Sequence, residues 1–146
     1  MRRNDAAKAQ QLAEVRLFRG CTPEELDHLA RIADEAIFED GQILCDQGDV
    51  GTACYVLVDG EVDVVVGHEV VATVRAGETV GEMALLDGRP RSATVIARGQ
   101  LHALVIDAER FADLVADSPY IATVLLRELS RRLRATDLTV AQADAR

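Results

Sequence analysis

The sequence predicts a mainly β fold with flanking helices: a jelly-roll-like β-barrel (double-stranded β-helix) with N-terminal helices and a long C-terminal helix. Three observations carry this expectation. Short β-branched runs recur at close intervals between residues 36 and 107. Eight of the ten glycines, at positions 41, 48, 51, 60, 67, 77, 81 and 88, fall between those runs and their flanks, where turns with positive φ are wanted. At both ends of the chain the apolar residues recur at helical spacing.

The 146 residues are read as one domain, 1–146, with helices over 7–33, a β-roll over 36–107 and C-terminal helices over 108–140. Ala7 to Phe18 places Leu12, Val15 and Phe18 on one helical face. Cys21-Thr22-Pro23-Glu24-Glu25 then supplies a capping box with proline at the first helical position, opening a helix to about Ala33 that buries Leu26, Leu29, Ala30 and Ile32. The expected strands are Gln42 to Cys45, Cys54 to Val58, Val62 to Val66, Val70 to Val74, Ala93 to Ala97 and Leu101 to Ile106. Asp59-Gly60 is a dipeptide that suits a two-residue hairpin between the second and third of these. Asp107 caps a short helix holding Phe111, Leu114 and Val115, and Ser118-Pro119 opens a long one. In that last helix Ala122, Leu126, Leu129, Leu133, Thr136 and Val140 form a seam of alternating three- and four-residue steps. It either packs on the barrel or forms a two-fold dimer contact.

Apolar residues make up 49% of the chain and charged residues 28%, the mix of a soluble globular protein. A net charge of −9 argues against a broad nucleic-acid-binding face. The N-terminus lacks the apolar core of a secretory signal, and no apolar run approaches the ~20 residues that span a bilayer, so the expectation is a cytoplasmic protein without membrane insertion. Cys21, Cys45 and Cys54 are odd in number and lack CxxC spacing, and His28, His68 and His102 are scattered, so neither a disulfide nor a metal site is expected.

The chemistry is concentrated in residues 80–95, Val80-Gly81-Glu82-Met83-Ala84-Leu85-Leu86-Asp87-Gly88-Arg89-Pro90-Arg91-Ser92-Ala93-Thr94-Val95. Gly81 permits close backbone approach, and the N–H groups opening a helical turn after it attract an anion. Arg91, held by Pro90 and followed by small residues, adds a guanidinium, and together these make a receptor for one phosphate. Glu82 in the same loop repels a phosphate and suits a sugar hydroxyl instead.

This string resembles the phosphate-binding cassette of the cyclic nucleotide-binding domains shared by the catabolite activator protein, protein kinase A regulatory subunits and cyclic-nucleotide-gated channels. In those, FGE, aliphatic residues around AL and a variable stretch lead to PR, two small residues, T or S, and V. The resemblance extends through Gly41, Gln47-Gly48-Asp49, Val58-Asp59-Gly60-Glu61-Val62, Ile106-Asp107 and Phe111, covering about residues 12–138. Val80 departs from it by replacing an aromatic residue.

The resemblance implies that Arg91 pairs with the exocyclic oxygens of a cyclic phosphate, assisted by the Ser92 and Ala93 N–H groups and the Ser92 hydroxyl. Glu82 and the Gly81 backbone bind the ribose 2′-hydroxyl, with Met83 and Ala84 completing the ligand-binding turn. Arg131-Arg132-Leu133-Arg134-Ala135-Thr136-Asp137 is similar to the string with which activator-type members cover adenine. Thr136 is therefore the candidate base contact, and Asp137 departs from the pattern. The ligand implied is cyclic AMP, with cyclic GMP open because a hydroxyl at Ser92 also suits guanine.

The expected function is a non-enzymatic sensor that binds a cyclic nucleotide, needs no cofactor, and signals through its C-terminal helix to an unidentified effector. With ten residues after Thr136 in the sequence, no DNA-binding extension of the activator type is expected. Two alternatives are an interaction or scaffold protein on the same fold that has lost or changed its ligand, and a cupin-like barrel enzyme. The scattered histidines oppose the enzyme.

Overall fold

A computed structural model describes residues 3–85 and 90–144; within these, the side chains of residues 3, 83, 84, 132, 133 and 135–144 lie outside the described set. Helix α1 (Arg3–Ala13), a 3-10 turn η1 (Arg16–Phe18) and α2 (Pro23–Ile32) precede a six-stranded antiparallel sheet. Its strands are β1 (Ala33–Phe38), β2 (Ile43–Cys45), β3 (Ala53–Val66), β4 (Glu69–Arg75), β5 (Thr79–Val80) and β6 (Thr94–Asp107). A second 3-10 turn, η2 (Glu82–Leu85), follows β5, and α3 (Ala108–Asp117) and α4 (Pro119–Asp144) follow β6. The strand order is β1-β6-β3-β4, with β2 also on β6 and β5 on β3. This is the expected jelly-roll architecture with flanking helices.

Local chemistry sets the helix starts. The Thr22 side chain accepts from Glu25 N–H while the Glu25 carboxylate accepts from Thr22 N–H, the capping box read from sequence. Asp107 accepts from Arg110 N–H and starts α3. The first helix is not continuous from Ala7 to Phe18. It ends at Ala13, and Val15 takes extended backbone (φ −86, ψ 132) before η1. That break lets Arg16 N–H donate to Gly77 O and turns Leu17 and Phe18 into the core.

The Asp59-Gly60 hairpin does not form. β3 runs through it for 14 residues, paired with β6 from Ala53↔Asp107 to Val65↔Thr94, with register shifts around Asp59. Gly60 has φ +101, and a Cβ built on it would fall 2.6 Å from Gln100 O, so the glycine serves a bulge beneath a crossing strand. Gly99, with φ +74, bends the partner strand beside it. For the same reason the expected strands Ala93–Ala97 and Leu101–Ile106 are one strand. The hairpin turn is instead Gly67-His68, between β3 and β4. Gly51 does not adopt positive φ, and Gly88 lies outside the described residues.

These two bent strands divide the core. Cys54, Val56, Leu104 and Ile106 face the helices and pack with Leu12, Phe18, Leu29 and Phe111. The alternate residues Leu57, Leu101 and Ala103 face the interior of the roll with Val62, Val80 and Val95. Burial on both faces explains why these segments read as nearly unbroken apolar runs. On α4 the core-facing residues are Ile121, Val124, Leu125 and Leu129. Only Leu129 of them belongs to the expected seam; Leu126 is exposed, and the seam side chains from Leu133 onward lie outside the described residues. Among the described residues no helix is long and apolar enough to cross a membrane.

Among the described residues none of the three cysteines forms a disulfide. Burial, with Glu25 nearby, pushes the Cys21 thiol up to about 12, so it stays protonated and a poor nucleophile.

Candidate functional site

Arg91 is fixed first through its backbone. Its N–H donates to Asp49 O at 2.6 Å and its carbonyl accepts from Gly48 N–H at 2.8 Å, while Pro90 bridges to Val50. Gly48 (φ +92) turns the chain so that residues 48–50 run against 90–91. Gln47 secures the same corner: its N–H donates to Thr94 Oγ1 at 2.9 Å, and its side-chain Oε1 accepts from Gly67 N–H at 3.0 Å. Gln47-Gly48-Asp49, known from sequence only as part of a resemblance, is thus a brace for the arginine.

The guanidinium is held from three sides. Nη2 donates to Ala53 O at 2.5 Å. The Tyr55 ring lies beside it, 6.0 Å from Cζ to the ring centroid. That ring is itself fixed, donating its hydroxyl to Leu44 O at 2.9 Å and meeting Phe38 edge-on at 6.1 Å. On the third side is Gly81, with φ +75, where a Cβ would overlap Nη1. Gly81→Ala therefore both strains the backbone and displaces Arg91, while touching little of the core. We expect at least about a tenfold loss of affinity for an anion bound beside Arg91, read by calorimetry, with a thermal midpoint lowered by only a few degrees; unchanged affinity would contradict this packing.

Gly81, Glu82, Arg91, Ser92 and Ala93 line one cavity of about 210 Å³. Its apolar wall is formed by the cross-strand pair Val64 and Val95, with Val80 and Cys45. Glu82, in the first turn of η2, is partly buried and accepts from Thr79 Oγ1 at 3.3 Å. Burial raises the thiol of Cys45 and the phenol of Tyr55 above their ordinary values, Arg91 pulling both the other way, so neither places a negative charge in the cavity near neutral pH. The cavity therefore joins one guanidinium to one carboxylate, and it suits a singly charged anion bearing a hydroxyl.

Five of the sequence-derived candidates thus converge. The Met83 and Ala84 side chains lie outside the described residues, as does that of Thr136, whose backbone is in α4. Sequence reasoning missed Ala53, Tyr55, Cys45 and Val64. They sit in strands whose alternation is that of any buried sheet, and no residue-level signal separates them from core.

Residues 35–118 match the family described as cyclic nucleotide-binding domain. The chain belongs to that family. Among its cyclic nucleotide-binding relatives, the "Cyclic AMP receptor protein" of Thermus thermophilus is 34% identical over 127 residues, 84% of this chain and 59% of the relative. A "Cyclic nucleotide-gated potassium channel" of Rhizobium etli is 37% identical over 134 residues, 90% of this chain and 38% of the channel. The chain therefore spans less than two thirds of these proteins. The crystal structure of the Thermus thermophilus catabolite activator protein superposes with a TM-score of 0.78 at 32% identity, covering 88% of this chain and 63% of that one. By their names, the first of these relatives is a receptor and the second a gated channel.

Proposed function

We propose that the chain is a cyclic nucleotide sensor that binds cyclic AMP at Arg91 and Glu82 and reports occupancy through α4. The observation that carries this reading is the convergence of Arg91, Gly81, Glu82, Ser92 and Ala93 on one cavity. A cyclic phosphodiester carries one negative charge and leaves the ribose 2′-hydroxyl free. Arg91 takes the first, with the Ser92 and Ala93 N–H groups and the Ser92 hydroxyl, and Glu82 with the Gly81 backbone takes the second. A phosphate monoester would bring a second charge towards Glu82 and lack the ring. Met83 and Ala84 complete the turn. The name of the Thermus receptor favours adenine; cyclic GMP is the second reading, supported by Ser92 in the cavity wall.

The cavity is smaller than the ~300–1,000 Å³ common for ligand pockets, so the base needs cover from another element. Thr136 of α4 is that cover. Leu85 at the end of η2 packs on the cluster holding Phe111, Leu114 and Val115, so a cassette drawn inward by ligand carries α3 and then α4 with it. Ligand shifts this equilibrium only by its preference for the closed state, so contacts from α4 to the base govern the response. We assign the protein no catalytic role, a cytoplasmic location, an effector still to be identified, and a homodimer contact that includes the outward-facing Leu126.

Hydrogen exchange with and without cyclic AMP tests this mechanism. Residues 80–95 and α4 should both gain protection on binding; protection confined to the cassette would remove α4 from the response. Because residues 36–116 carry −9, the encounter rate for an anionic ligand should rise with added salt, as stopped-flow mixing would read.

A further inference from the structure

A second concavity, of about 350 Å³, lies between η1 and the first turns of α4. Its floor is apolar, formed by Leu17 and Val124. Gly20 keeps the two elements close, since a Cβ there would fall 3.0 Å from Val124 Cγ1. Arginines stand on both walls, Arg16 and Arg19 on one side and Arg127 and Arg131 on the other. Tyr120 closes one end and is 53% exposed.

The fold accounts for only some of this charge. Arg131 binds Glu128 at 2.7 Å and Arg16 binds Glu78 at 3.5 Å. Among the described residues no acidic group pairs with Arg19 or Arg127, both exposed. Four arginines against Glu128 give the groove a local charge of +3 on a chain of −9. The arginines come from two different elements and share the groove with apolar Leu17 and Val124, which give nothing to a phosphate backbone.

We infer that this groove docks an acidic segment of a partner protein, with carboxylates paired to Arg19 and Arg127 and an apolar side chain seated on Leu17 and Val124 against Tyr120. The net charge of −9 disfavours a nucleic acid as the occupant. The groove stands whatever the cassette binds. On the sensor reading it also joins η1 to the helix that moves, so an effector held there would feel α4 shift.

The test is fluorescence anisotropy of the whole chain with a labelled peptide of repeating Asp-Leu-Glu-Asp, at low and moderate salt. Binding should weaken about tenfold or more in the double variant Arg19→Glu/Arg127→Glu, and about tenfold when the peptide's leucines become serine. The control Arg75→Glu/Arg98→Glu, on the barrel, should bind like the parent. Circular dichroism checks that the variants fold, and cyclic AMP titration of the same samples separates this groove from the cassette. The proposal is overturned by no binding at low salt, by equal weakening in the control, or by a serine peptide that binds as well as the leucine one. It is also overturned by an equally charged oligonucleotide that binds more tightly. Salt-sensitive dimerisation that the double variant abolishes would give the groove to a second copy, and would overturn it as well.

Discussion

Arg91→Lys should weaken cyclic AMP binding by about 100-fold with the fold intact. The lysine keeps the charge but loses the planar fork, and with it the ability to donate to Ala53 O and to a phosphate oxygen at once. Losing one charge-assisted hydrogen bond at roughly 1.5–3 kcal/mol corresponds to about 10–150-fold in Kd. Stacking beside Tyr55 is lost as well, which favours the upper part of that range. Calorimetry on both proteins reads the difference. Affinity within a factor of about three of the parent would mean that Arg91 is a structural residue of the β-roll and the phosphate lies elsewhere.

Gly60→Ala should be the most destabilising single-methyl change in the barrel. The new Cβ meets Gln100 O at 2.6 Å and Leu101 Cα at 3.2 Å, both backbone atoms of the partner strand, and the residue must also hold φ +101. We expect a loss of about 3 kcal/mol or more, lowering the thermal midpoint by roughly 6–12 °C. Gly41→Ala supplies the comparison: φ is +81 there, but a Cβ meets nothing within 4 Å, so only the conformational cost of roughly 1–2 kcal/mol remains. Equal losses in the two variants would show that the crossing at Gly60 is looser than described.

Gly60 also shows where sequence and structure part. Asp-Gly between two β-branched runs has the composition of a hairpin turn, and what decides otherwise is a long-range partner, Gln100, forty residues away. The strand β1 was missed for a related reason. Asp34 and Glu35 follow α2 with no turn residue between, and only Ala33 taking extended backbone, paired with Ile106, makes the change visible. By contrast, the Thr22 capping box and the Asp107 cap depend on residues three apart, and both were legible.

The site divides in the same way. Gly81, Glu82 and Arg91 lie within eleven consecutive residues, so chemistry and spacing together could mark them. The groups that hold Arg91 in place, Ala53 O, the Tyr55 ring and the Gly48-Asp49 backbone, come from elsewhere in the chain and act partly through carbonyls that every residue possesses.

Calorimetric titration of the 146-residue chain with cyclic AMP and, in parallel, with 5′-AMP tests the central claim most directly. A saturable one-to-one isotherm is expected for cyclic AMP, with 5′-AMP weaker by at least about tenfold because its second charge faces Glu82. A folded sample that takes up no cyclic AMP at high micromolar concentration, or that binds 5′-AMP equally well, would contradict it.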